Sequence, residues 1–230
     1  MKISILLPSR GRPAEFERMY NSVMETVDDQ SGVEFVLYLD HDDPKAGLYG
    51  RWPNVKHILG DRILLSEMWN VCYRNVENPE LVMHAGDDLI FKTKGWDTIV
   101  RGAFDTSEDK ILFVHGDDLH WDTRFGTHGI LHKNWIDVVG YFVPPYFSSD
   151  FNDTWLNDVA NGLGRRIYLP FVTEHMHPLF GKAEYDQTHK DRLERHQRDN
   201  VGPLYSSKQS ERERDIAKLR EFINSFRKTI

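Results

Sequence analysis

Two continuous apolar runs, ISILLP from residue 3 and VEFVLYLD from residue 33, flank a stretch whose apolar residues recur at helical spacing. This arrangement limits the fold more than any other feature of the chain. A short run that is apolar throughout suits a strand buried on both faces, which a sheet covered by helices on both sides provides. Between the runs, Pro13 stands where a first helical turn begins, and Phe16, Met19, Tyr20, Val23 and Val27 share one helical face. The alternation continues. Residues 66–76 put Met68, Trp69, Cys72 and Val76 on a helical face, with Ser66 or a neighbour as cap. ELVMHA reads as a third strand, WDTIVRGAF as a helix, KILFVHGDD as a fourth strand and HWDTRFGTHGILH as an irregular aromatic stretch. DTWLNDVANGL reads as a helix and RRIYLPFVTEHMHP as a closing strand. The expected class is α/β, with a mostly parallel sheet flanked by helices and ligands outside the carboxyl ends of its strands.

The pattern changes near Phe180. Residues 181–210 are polar and sparse in apolar periodicity, so a linker or an arm on the body is expected there. Ile216, Leu219, Ile223 and Phe226 then stripe one face of a final helix, through which an oligomer could form. The division expected is a body over 1–180 and a C-terminal helical arm over 181–230. With 29 Lys and Arg against 36 Asp and Glu, the net charge is −7. That balance disfavours a broad nucleic-acid footprint and suits a phosphorylated ligand held by a few local cations and a metal. No apolar run approaches the ~20 residues of a membrane span. The start MKISILLPSRGR meets Pro and Arg too soon for a signal peptide, so a cytoplasmic location is expected. The single cysteine, Cys72, lies in an apolar pattern and reads as a buried structural thiol.

Chemistry concentrates at a few places. LVMHAGDDLIF, residues 81–91, sets Asp87 and Asp88 between apolar runs, and adjacent like charges need water, a capping backbone or a cation. Both acids reach one ion only if the chain turns there, which Gly86 makes easy. A related pair, Asp117 and Asp118, ends the fourth strand. His175 and His177, two apart on an extended segment, share a face, and imidazole with carboxylate suits Mn²⁺ better than Mg²⁺. A structural role stays open for each histidine. Arg10 and Arg12 in SRGRP could meet phosphate or base, or be solvated loop charges; the loop is neither a Walker motif nor a dinucleotide fingerprint. Trp121, Phe125, His128 and Trp135 form either an acceptor wall or core.

Taken in order, ISILLPSRGRP, VEFVLYLDHDDP, the helix start at Ser66, LVMHAGDDLIF, SSDFNDTWL and HMHP resemble the GT-A fold glycosyltransferases. The likeness is to the family 2-like group and its small phage and bacterial members, over about residues 1–180. It implies transfer of a sugar from a nucleotide diphosphate donor, expected to be UDP-linked, to a hydroxyl, with inversion by direct attack. It also implies Mn²⁺ or Mg²⁺ on an Asp-x-Asp motif. Here the motif is Gly86, Asp87 and Asp88: the first acid is missing, Asp87 takes the middle position and Asp88 the last. The resemblance places His177, followed by Pro178, as a late metal ligand with His175 beside it. It places the nucleotide over Pro8, Arg10, Arg12, Asp40 and Asp87, with Arg62 and Asn70 as outer contacts. NDTWL stands against the relatives' EDTDL, which makes Asp153 the base and Asp150 its substitute, with a helix N-cap as the other role for Asp153. A hydroxymethylated base in phage DNA, a glycan or a lipid-linked acceptor all fit the family, and a viral member would work in the host cytoplasm. Two other readings remain: a sugar-phosphate nucleotidyltransferase, whose Gly-rich first loop is absent, and a catalytically silent nucleotide-sugar-binding protein.

Overall fold

The computed structural model describes residues 1–227. The first half follows the strand and helix alternation: β1 (Ile3–Ser9), α1 (Pro13–Thr26), β2 (Val33–Asp40), β3 (Val55–Gly60), α2 (Leu65–Arg74), β4 (Leu81–His84) and β5 (Leu89–Phe91). The second half adds α3 (Trp96–Asp105), β6 (Phe113–Asp117), β7 (Gly129–His132), α4 (Lys133–Val139), α5 (Asn152–Leu163) and β8 (Arg166–His175). The arm consists of α6 (Gln187–Arg198), α7 (Val201–Ser207) and α8 (Gln209–Arg227).

The strands form one sheet in the order β3-β2-β1-β4-β7-β6-β8-β5. β1 pairs in parallel with both β2 and β4, and β6 with β8. β7 runs antiparallel between β4 and β6, and β5 antiparallel to β8. Side chains alternate across this sheet, as a two-residue period requires. Ile3, Ile5, Leu7, Phe35, Leu37, Leu81 and Met83 join one buried cluster with Phe16 and Met19 of α1 and Trp96 and Val100 of α3. Leu6, Val36, Tyr38 and Val82 join the other with Trp69 and Cys72 of α2, Trp135 of α4, and Trp155 and Leu156 of α5. Both faces of β1 thus meet an apolar layer, which is why ISILLP is apolar except for Ser4, whose hydroxyl donates to Glu34 Oε1 (2.6 Å). Cys72 is fully buried, and burial pushes its thiol above the ordinary value, as a structural cysteine requires.

Among the elements not expected are β3, β7 and α4. β3 is an edge strand whose VKHILG lacks a clean apolar face, and its pairing with β2 creates it. β7 falls at the end of the stretch expected to be irregular, and α4 follows it in residues for which no element was expected; β7 is a four-residue strand that takes its definition from two neighbours far away in sequence. Ser66 is not a cap. Leu64 occupies that position without a side-chain bond, while the Ser66 hydroxyl donates to the Phe147 carbonyl (3.0 Å) and to Asn152 Oδ1 (2.7 Å), joining α2 to the start of α5.

The polar stretch 181–210 forms α6 and α7, and two different forces hold the arm. α8 buries Leu219 and Ile223 in the second apolar layer, with Ile216 packed beside them, so the C-terminal stripe meets this chain's own α4 and α5. Each such burial contributes ~1.5–3 kcal/mol. α6 buries His189 alone and is attached through charged side chains. Among the described residues no helix is long and apolar enough to cross a membrane.

Candidate active site

The parallel strands all deliver their carboxyl ends to one edge, where a cleft of about 270 Å³ lies between the sheet, the start of α5 and α6. The chain breaks after β4 and turns at Asp87 and Asp88 before resuming as β5. The turn separates the two carboxylates. Asp87 points toward the first loop, accepting from Ser9 Oγ (2.5 Å) and from Arg12 Nη1 (3.1 Å). Asp88 points toward β8, with its Oδ2 3.3 Å from His175 Nε2. Burial raises the Asp87 carboxyl despite Arg12. Burial also opposes ionisation of Asp88, but the His175 hydrogen bond and the charges of His175 and Arg12 outweigh it and hold that carboxyl low. The neighbouring acids are therefore different groups chemically.

Asp88, His128 and His175 each present a ligand atom within 4.8 Å of the others. β8 fixes His175, whose N–H donates to the Asp118 carbonyl (3.2 Å), while the next N–H, of Met176, donates to the Asp88 carbonyl (2.8 Å). His128 comes from the end of the loop before β7. In both rings the nitrogen turned toward Asp88 and Gly86 is Nε2, while Nδ1 of each is buried without a hydrogen-bond partner. Burial, with His175 adding to it, pushes the His128 imidazole well below its ordinary value, so it is a neutral donor. A Cβ on Gly86 would lie 2.7 Å from Asp88 Oδ1 and 3.5 Å from His128 Nε2, so glycine keeps the space between them open. One carboxylate and two imidazoles fit a divalent transition ion such as Mn²⁺ better than Mg²⁺.

His177 and Asp87 lie beside this triad without joining it. The His177 ring is 5.2 Å from that of His175, and its Nδ1 accepts from the Leu179 N–H (3.2 Å), capping a short 3₁₀ turn. Burial, and next the charge of His175, lower its imidazole to about 4. His128 is the ligand candidate that reading the sequence missed. Its position became legible only with β7, which sets the loop's end opposite β8.

Pro8, Arg10, Arg12, Asp40 and Arg62 all line the cleft. Arg10 contacts Asp40 (3.0 Å) and Asp42, and Asp40 keeps a buried Oδ1 with no partner. Asn70 is placed elsewhere: buried on α2, it donates to the Val143 carbonyl (3.0 Å) and accepts from the N–H groups of Phe142 and Val143. Arg12 is the hub. Besides Asp87 it donates to both oxygens of Asp186 (2.7 and 2.8 Å) at the start of α6, and it lies 2.8 Å from His189 Nδ1. Arg62 reaches Asp191 on the same helix (2.6 Å).

Asp150 and Asp153 both line the cleft but differ in freedom. Asp150 is tied to Arg192, and to His196 Nδ1 at 2.6 Å. Asp153 is the second residue of α5, not its N-cap; that position is Phe151, in the left-handed region at φ +72°. Its Oδ1 accepts from the Thr154 N–H (2.7 Å). Burial raises its carboxyl from 3.8 to about 6, with the charge of Asp150 adding to the shift, which makes Asp153 a stronger base than an ordinary carboxylate.

By sequence, no family model and no curated protein matches the chain. By shape, similar solved structures are glycosyltransferases. The mannosyltransferase PcManGT from Pyrobaculum calidifontis, in complex with GDP-Man and Mn²⁺, aligns with a TM-score of 0.59 at 14% identity, over 76% of this chain and 57% of that one. TarS 1–349 of S. aureus aligns at 0.58 and 14%, over 100% and 92%; its complex with UDP-GlcNAc gives 0.58 and 14%, over 81% and 62%. The chain spans about half the length of PcManGT and of the longer TarS chain, 57% and 43%. At these identities the likeness establishes the fold: α/β, of the GT-A kind, as the ordered motifs implied.

Proposed function

We propose that this protein is a metal-dependent glycosyltransferase that moves a sugar from a nucleotide diphosphate donor, UDP-linked in the first instance, to a hydroxyl acceptor with inversion. The observation that carries the reading is the convergence, at the carboxyl edge of a GT-A sheet, of a carboxylate and two imidazoles with a nearby arginine set. Structures of the same fold hold GDP-Man with Mn²⁺, and UDP-GlcNAc.

In this proposal Asp88, His128 and His175 hold the divalent ion, with His177 and Asp87 at its margin. When bound, that ion supplies Lewis acidity to the leaving diphosphate. The chain's own residues do the rest. Arg10, Arg12 and Arg62 face the anionic donor, with Pro8 beside them at the end of β1, and Asp40 offers its unpartnered oxygen to the base. Asp153 takes the proton from the attacking hydroxyl, and a carboxyl titrating at about 6 is ionised at pH 7 while still basic enough to accept it. Asp150, paired with Arg192 and His196, positions α6 against the start of α5.

A thermal-shift comparison tests this directly. UDP and GDP, each with and without Mn²⁺, are added to the full chain. Stabilisation by a nucleoside diphosphate that requires Mn²⁺ is the expected result, and equal melting temperatures in all mixtures would refute the proposal.

A further inference from the structure

Large apolar side chains gather, exposed, at one lip of the cleft. Trp121 is 40% exposed and Leu119 44%, both on the loop between β6 and β7; Leu179, on the turn after β8, is 73% exposed. Rings join this lip to the site. His175 lies 5.8 Å from Phe180, Phe180 stacks on His120 at a 22° interplanar angle, and His120 meets Trp121 edge-on at 4.7 Å. Trp135, from the same aromatic-rich segment, is buried in the core and takes no part.

An indole left in water forgoes the free energy of burial, so a slack loop would fold it inward. This loop is built to hold it out. Asp118 Oδ1 accepts from the N–H groups of His120 (2.9 Å) and Trp121 (2.6 Å), and Asp118 Oδ2 from Thr127 Oγ1 (2.7 Å). Arg166 donates to the carbonyls of Arg124 (2.6 Å) and Thr123 (3.2 Å), and Arg124 to those of His120 (2.9 Å) and Trp121 (3.2 Å). Leu119 and Asp122 sit at φ +60° and +48°, conformations that side-chain-bearing residues rarely adopt. Strained backbone that presents an aromatic beside a cleft marks a preformed binding surface.

We infer that Trp121, His120 and Phe180 form the acceptor subsite, a platform that stacks on a neutral saccharide. The inference rests on the glycosyltransferase reading for the fate of the sugar, not for its binding. The chemistry selects the ligand. A pyranose presents a face of C–H groups to an aromatic ring and hydroxyls at its rim to carboxylates; Asp117 and Asp122 lie within four residues of Trp121, each with its Oδ1 accepting a backbone N–H, from Leu119 and Arg124. A nucleic acid would also stack, but it needs cations for its phosphates. The nearby cations are already engaged: Arg124 with Asp122, two carbonyls and one face of the Trp121 ring (5.6 Å to its centroid), which leaves the other face for a ligand, Arg166 with two carbonyls, and Lys182 with Glu174 (3.1 Å).

The test uses the full chain on an array of neutral oligosaccharides with UDP and Mn²⁺ present, and a dT12 oligonucleotide as the competing ligand class. Wild type binds a subset of the glycans, Trp121→Ala weakens that binding at least about tenfold, and Trp121→Phe retains most of it. Phe180→Ala gives a second reading from the other side of the platform. Glycan binding unaffected by both alanine variants overturns the inference, as does Trp121-dependent binding of dT12 in place of glycans. The shift in melting temperature by UDP and Mn²⁺, measured on the same samples, isolates the donor reading. Trp121-dependent glycan binding without that shift keeps the platform and refutes the transferase; the shift with no glycan bound does the reverse.

Discussion

The two walls of the cleft are held by forces of different kinds. One wall is the sheet edge, where Asp40 and Asp88 adjoin strands locked between two apolar layers and His175 ends β8, which packs Phe171 into one of them. The other is α6, which buries only His189 and reaches the sheet edge through Arg12–Asp186, Arg62–Asp191 and Arg192–Asp150. Partly exposed ion pairs of this kind contribute ~1 kcal/mol or less each, against ~1.5–3 kcal/mol for a buried leucine. The stiff wall carries Asp88 and His175, proposed for the metal, and Asp40, proposed for the nucleotide base. The lightly tied wall covers the arginines proposed for the donor, so it can yield to a ligand without disturbing the rest.

The sharpest way to break this contrast is at the stiff wall. Asp88→Ala should abolish Mn²⁺-dependent stabilisation by UDP and reduce transfer below detection while the fold persists, as circular dichroism would show. A variant that still binds metal and nucleotide like the parent removes Asp88 from the site.

Asp153→Asn comes next. Transfer should fall by ~10² to 10⁴, the usual contribution of a positioned general base, with donor binding retained. Stability should move the other way. The Asp153 carboxyl titrates at about 6 in the fold and at 3.8 ordinarily, so the folded state holds its proton more tightly, and the buried charge costs stability as pH rises through that window. The neutral variant should therefore exceed the parent by ~3 kcal/mol at pH 7, with the difference vanishing below about pH 3. Denaturation at both pH values checks the sign. Asp150→Asn is the companion; a selective loss of transfer there would move the base by three residues.

His128 and His177 sharpen the comparison within the metal-proximal cluster. His128→Ala should weaken Mn²⁺ binding by at least the ~10- to 100-fold that loss of a mere supporting partner costs. His177→Ala should change it only a few-fold. Calorimetric titration ranks the two, and the opposite ranking returns the ligand role to the position that the family resemblance suggested.

The smallest effect concerns α6. Raising NaCl from 50 to 500 mM should speed amide exchange in residues 187–198 by a few-fold at most, leaving β1 and β4 unchanged, because screening acts on exposed pairs and not on buried ladders. Equal protection at both salt concentrations would show that α6 is held by something other than charge.

Much of the stiff wall was legible in the sequence. Continuous apolar runs imply strands buried on both faces, and each run ends in the polar residues that reach the cleft: Arg10, Asp40, Asp88 and His175. α6 was not legible, because its contacts are between charges. An ion pair across 174 residues, Arg12 with Asp186, leaves no periodic trace in either segment. The Asn70 expectation came from family position and that for His177 also from its two-residue spacing with His175; the fold directs the first to the α2 side of the core and the second to a turn cap.

What the sequence determined by itself is the alternation of strands and helices, and a glycine followed by two adjacent acids at the end of a strand. Local patterning carries those, since burial on two faces and a lone glycine before two acids are properties of adjacent residues. Only the tertiary structure decided that Asp87 turns to Arg12 while Asp88 turns to His175, and that His128 stands with the latter. The direction of a side chain at a turn is set by what packs around it, and those neighbours come from β1, β7 and β8, which lie far apart along the chain and meet only in the sheet.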